Sequence, residues 1–153
     1  MRTVYVVLIR LLGLAILAQF YFAAVGAFDR PRDDDSFALH SLIGMAVIPL
    51  LSVLATIVAA LCRAPGRLTG LTLLPFGLVL VQVLLVAVSN AVAGGAEERT
   101  SAAALAVFGL HAVNGLAIMA VVGVLSRRAG ALRAAGRPAS AGKPIAPTAS
   151  PVG

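Results

Sequence analysis

LTGLTLLPFGLVLVQVLLVAVSNAVA, residues 68–93, holds no charged side chain. At 1.5 Å rise per residue, a helix of that length covers roughly 39 Å, more than the ~30 Å hydrocarbon core of a bilayer. In lipid the backbone must satisfy its own hydrogen bonds, so such a run is helical. Three more runs flank it, and together the spans are 3–28, 37–62, 68–93 and 102–126. The chain is 60% hydrophobic and 12% charged, whereas soluble domains are about 45–50% apolar and about a quarter charged. These features predict an all-α polytopic membrane protein, an antiparallel bundle of four transmembrane helices within residues 1–128.

Charge sets the expected orientation. Arg2, Arg10, Arg63, Arg67, Arg127, Arg128, Arg133, Arg137 and Lys143 fall on one side; Arg30, Arg32 and Arg99 fall on the other with all six carboxylates. The excess of basic residues marks the cytoplasmic side, so both termini are expected in the cytoplasm and the protein in the cell membrane. Net charge is +6, but the positive residues flank apolar spans instead of forming a basic face, which argues against nucleic acid. The lipid bilayer is the expected surrounding; nothing in the residues specifies a membrane-protein partner or a homo-oligomer. A signal peptide ending near Ala27 is disfavoured, because Leu11–Phe28 is long for the ~7–15-residue apolar region of such peptides.

The connections carry helix-start signals. Asp35 or Ser36 is expected to cap the second span, and Thr100 or Ser101 the fourth. Pro49 is expected to bend the second span. Residues 129–153, rich in Ala, Gly and Pro, read as a disordered cytoplasmic tail. Cys62 is the single cysteine and has no partner for an intramolecular disulfide.

The only two histidines stand in LHSLIG (39–44) and LHAVNG (110–115). Each lies one turn from a glycine, and each span is preceded by one that carries a glutamine, Gln19 or Gln82. The pattern reads as a repeated helical hairpin. Polar groups in a span face the bundle interior and find partners there. Gln19 with His40 and Gln82 with His111 would form two interhelical pairs, with Asn114 beside them. That reading makes the protein non-catalytic or accessory. A second reading makes His40 and His111 axial ligands of a haem b, with Gly44 and Gly115 letting a flat macrocycle approach the backbone. A third is a solute or proton pathway, weakened by the absence of an intramembrane carboxylate. His40 stands roughly six helical turns before Arg63, and His111 only about four and a half before Arg127. With those arginines at one boundary, the rings differ in depth by roughly 10 Å, which speaks against one shared haem. No Walker, GxSxG, HExxH or CxxC motif is present, so an enzyme with its own hydrolytic or nucleotide chemistry is not expected.

QFYFAAVGAF, ALHSLIG and GLHAVNGLAIM with the following SRRA resemble a family of small four-helix membrane proteins of actinobacteria with no established activity. The likeness covers residues 3–128 and implies the bundle fold and membrane location, with Gln19, His40, Gln82, His111 and Asn114 as the matching polar positions. The histidine–glycine spacing also has a local resemblance to the helix pairs of b-type cytochromes.

Overall fold

The structure, a computed structural model, describes residues 1–33, 35–93 and 101–136. Four long helices make up almost all of it: α1 (Arg2–Phe28), α2 (Ala38–Leu61), α3 (Gly66–Ala93) and α4 (Ala102–Ala134). Each is long and apolar enough to cross a membrane. They pack in a ring in which α1 touches α2 and α4, and α3 touches α2 and α4.

Only a stripe of each helix is buried. On α1 it is Tyr5, Ile9, Leu12 and Ile16, while Val7, Leu11, Leu14 and Leu17 on the other side are exposed. Apolar residues all round a helix suit a lipid surrounding, where the outward face need not be polar. The tight core gathers at the basic end of the bundle, where Tyr5, Ile9 and Leu12 meet Ala55, Ala59, Val122, Leu125 and Ala129. Alanines on α2 and α4 let the backbones approach closely there. A buried polar chain crosses this core. The Tyr5 hydroxyl donates to Thr72 Oγ1 at 2.8 Å, Thr72 donates to the Leu68 carbonyl at 2.8 Å, and Ser52 donates to the Thr72 carbonyl at 2.9 Å.

Three expectations need correction. The last helix does not end near residue 126 but runs to Ala134. Its extension, SRRAGALRA, is built mostly from good helix formers, so residues 129–134 of the expected disordered tail are helical. Residues 137–153 lie outside the described residues, as does Thr100. Ser101 does cap α4, its side chain accepting from the Ala104 amide.

The second correction concerns the start of α2. Phe37 stands at the N-cap with no side-chain cap bond. Ser36 Oγ turns back to the loop, toward Asp29 Oδ2 at 2.9 Å, and Asp33 Oδ1 accepts from the Asp35 amide at 2.9 Å. The short polar side chains satisfy their own loop in place of the helix end. Gly26 makes this possible. A Cβ at residue 26 would collide with the Ser36 carbonyl and lie 2.7 Å from the Phe37 ring.

The third concerns depth, and it begins in the bend of α2. Residues Ile43–Val47 form a π turn immediately before Pro49, and the Ile48 amide bonds back to the Ile43 carbonyl. The wider turn accommodates the missing proline donor and puts an extra residue into the helix. Counted to the helix ends at Leu61 and Ala134, each histidine stands roughly six turns away. Their ring centroids lie 6.3 Å apart, which is closer than the expected offset in depth alone. The arginines at 63 and 127 are an unequal ruler, since α4 continues past Arg127 and α2 stops before Arg63.

Candidate functional site

Toward the acidic end the packing loosens into a cavity of about 480 Å³ between all four helices. Its lining brings together Gln19, His40, Gly44, Gln82, His111 and Gly115. Asn114 is not in the wall but stands behind Gln82. Most of the remaining wall is apolar, from Ile16, Ile48, Val79 and Ile118. The size lies within the ~300–1,000 Å³ of ordinary ligand sites, as does the pattern of an apolar wall with a few polar groups.

His40 is held by one residue through two bonds. Its Nδ1 lies 3.1 Å from the Gln19 carbonyl, and its Nε2 lies 3.3 Å from Gln19 Nε2. A carbonyl only accepts, so Nδ1 carries the proton, and Nε2 accepts from the Gln19 amide. The α1 backbone thereby fixes the tautomer and leaves the lone pair on Nε2. Phe37 packs edge-on against the ring, with centroids 6.1 Å apart. Gly44 makes room for the Gln19 amide, since a Cβ there would lie 2.6 Å from Nε2.

The second half is wired differently. The Gln82 side chain does not pair with His111. Gln82 Oε1 accepts from Asn114 Nδ2 at 2.8 Å, and the same amide donates to the Leu78 carbonyl at 2.9 Å. Asn114 stands three residues past His111 on α4 and takes the glutamine that symmetry with Gln19 assigns to the histidine. Among the described residues, His111 Nδ1 and Gln19 Oε1 are buried and find no hydrogen-bond partner. The Gln82 backbone lies near the His111 ring without completing a bond to Nδ1. The imidazoles of His40 and His111 face each other at 6.3 Å between centroids, tilted by 46°.

The expected polar residues thus converge on one site, with the glutamine–histidine pairing found in one half only. The sequence does not single out the buried Tyr5–Thr72–Ser52 chain. Its signal there is only a hydroxyl in each of three spans, and such residues are common in membrane helices.

Four helices of this length and hydropathy around an internal polar site are those of a membrane protein. Residues 19–90 match a family of unknown function, DUF6220. The matched stretch carries Gln19, His40, Gly44, Gln82 and Asn90 of the cavity wall and ends before His111. No curated protein and no solved structure matches the chain.

Proposed function

We propose that the protein is a small haem-binding protein of the membrane, in which His40 and His111 would hold the haem. One observation supports this reading: the two imidazoles lie with centroids 6.3 Å apart in the wall of one largely apolar cavity.

The residues present fit that group. His40 donates Nδ1–H to a backbone carbonyl, the outer bond that metal-bound histidines ordinarily make, so Nε2 is the nitrogen that would ligate. The Gln19 amide now beside Nε2 would give way, and its unpartnered Oε1 leaves it lightly held. His111 Nδ1 is buried without a bond, a state that costs about 1–3 kcal/mol and that ligation through this nitrogen would relieve. Gly44 and Gly115 remove side chains from the wall one turn from each ring. A bound haem would supply one-electron redox chemistry; the chain itself would position it, keep water from its faces and hold the His40 proton on Nδ1.

This reading includes an antiparallel bundle made of two repeated hairpins, with both termini in the cytoplasm. The basic residues at one end support that orientation. A purely structural role is the second reading. It is favoured by the Gln19–His40 and Gln82–Asn114 bonds, which satisfy much of the site without a ligand.

Protein purified in detergent from haem-replete cells tests the proposal. The expected result is a Soret band and a sharp α band in the reduced-minus-oxidised spectrum, lost in His40→Ala and His111→Ala. A folded, colourless wild type would leave the structural reading.

A further inference from the structure

The helix facing the cavity on the His40 side is unevenly supported. The basic-end part of α2, Ile48–Leu61, packs on both α1 and α3. The rest of α2, Ala38–Val47 with the π turn, packs on α1 and makes at most marginal contact with α3. This end of α2, which holds the π turn, thus lies against α1 and is parted from α3. The parting is bordered by cavity-lining residues that are also exposed: Ser41 and Met45 on α2, and Val83, Ala87 and Asn90 on α3. Met45 is 66% exposed, so its side chain stands at the rim. Around a membrane-spanning bundle, this part of the surface faces acyl chains, and the rim is mainly apolar.

We infer that the cavity is filled sideways from the bilayer, through the gap between α2 and α3. Its ligand is therefore a membrane-dissolved, largely apolar molecule with a polar or metal centre for the histidines to meet. A hydrophilic solute would have to cross acyl chains to reach the same opening. The inference rests on the proposed site for the identity of the ligand, haem, but not for the route. The imidazoles lie inside the opening, so a molecule entering there reaches His40 and His111 without passing through the packed basic half.

Transfer kinetics test the route. Full-length protein from haem-deficient cells, reconstituted in liposomes, is mixed with donor vesicles carrying haem in their lipid, and growth of the Soret band is followed. Met45→Trp is expected to slow loading at least tenfold and Met45→Ala to leave it as fast or faster. Leu14→Trp, exposed on α1 and outside the cavity wall, is expected to load at the wild-type rate. The final Soret absorbance of each variant is read separately from its rate, so that a slower approach to the plateau, and not a lower plateau, reports on the route. Equal rates in Met45→Trp and Leu14→Trp would overturn the route. Wild type that stays colourless in haem-replete cells would instead overturn haem as the ligand. The route then stands or falls on fluorescence, because the chain has no tryptophan and Val86→Trp introduces a single reporter in the cavity wall. Quenching by brominated acyl chains well above that by aqueous iodide is expected; the reverse would mean an opening to water.

Discussion

His40 is bound through both ring nitrogens to a single residue, Gln19, by its carbonyl at 3.1 Å and its amide at 3.3 Å. The two bonds differ in kind. The first fixes the proton on Nδ1 and belongs to the helix backbone. The second occupies the lone pair of Nε2 and depends on a flexible side chain. Gln19→Ala removes only the second. It is expected to keep the fold and, on the haem reading, to raise haem affinity by freeing Nε2. Titration of apoprotein with haem, followed at the Soret band, checks this; a loss of binding would show the amide to be needed in the bound state.

His111 predicts an unusual sign. Its Nδ1 is buried without a partner among the described residues, so replacing the ring by an apolar side chain of similar size removes an unsatisfied group. His111→Leu is expected to leave the apoprotein as stable as wild type or up to about 1–3 kcal/mol more stable, while abolishing haem binding. Thermal unfolding of apoprotein in detergent measures the first effect. A marked fall in the unfolding temperature would mean that His111 has a structural partner, the nearby Gln82 backbone being the first to suspect.

Two glycines near Gln19 should respond in opposite ways. At Gly26 a methyl group would strike the Ser36 backbone and the Phe37 ring, neither of which moves without shifting the start of α2. Gly26→Ala is expected to destabilise by about 1–3 kcal/mol. At Gly44 the methyl would meet only the far end of Gln19. Gly44→Ala should change stability by well under about 1 kcal/mol, on the order of a surface substitution, and displace the amide from His40. Unfolding midpoints of the pair in one detergent give the comparison, and equal losses would contradict it.

The buried hydroxyl chain is asymmetric. Tyr5→Phe leaves Thr72 Oγ1 still bonded to the Leu68 carbonyl, so the loss should be near the ~0.6 kcal/mol average for an interhelical bond in a membrane protein. Thr72→Val strands the Tyr5 hydroxyl, which is 0% exposed, and should cost more, about 1–3 kcal/mol. Tyr5→Phe combined with Thr72→Val should recover part of that loss. Equilibrium unfolding of the three variants tests the order.

The four helices follow from the order of residues alone, because the length of an uncharged run and the need to satisfy the backbone in lipid require them. The runs from Thr3 to Phe28 and from Leu68 to Ala93 differ only marginally from the observed Arg2–Phe28 and Gly66–Ala93 on that ground. The order of residues also determined the inventory of the site: with so few polar residues inside the spans, Gln19, His40, Gln82, His111 and Asn114 could hardly be missed. Their pairing was a tertiary matter. Whether Gln82 meets His111 or Asn114 depends on the rotation of α4, and a small shift along one helix face changes the partner without altering the pattern of apolar residues. Depth was a tertiary matter as well. Charges mark where a helix can meet water, not where it ends. The rings of His40 and His111 thus lie 6.3 Å apart although their expected depths differ by roughly 10 Å, because α4 runs on to Ala134, past the arginine taken as its boundary. The parting of α2 from α3 at the acidic end is likewise tertiary, since no residue spacing announces which neighbour one end of a helix will pack upon.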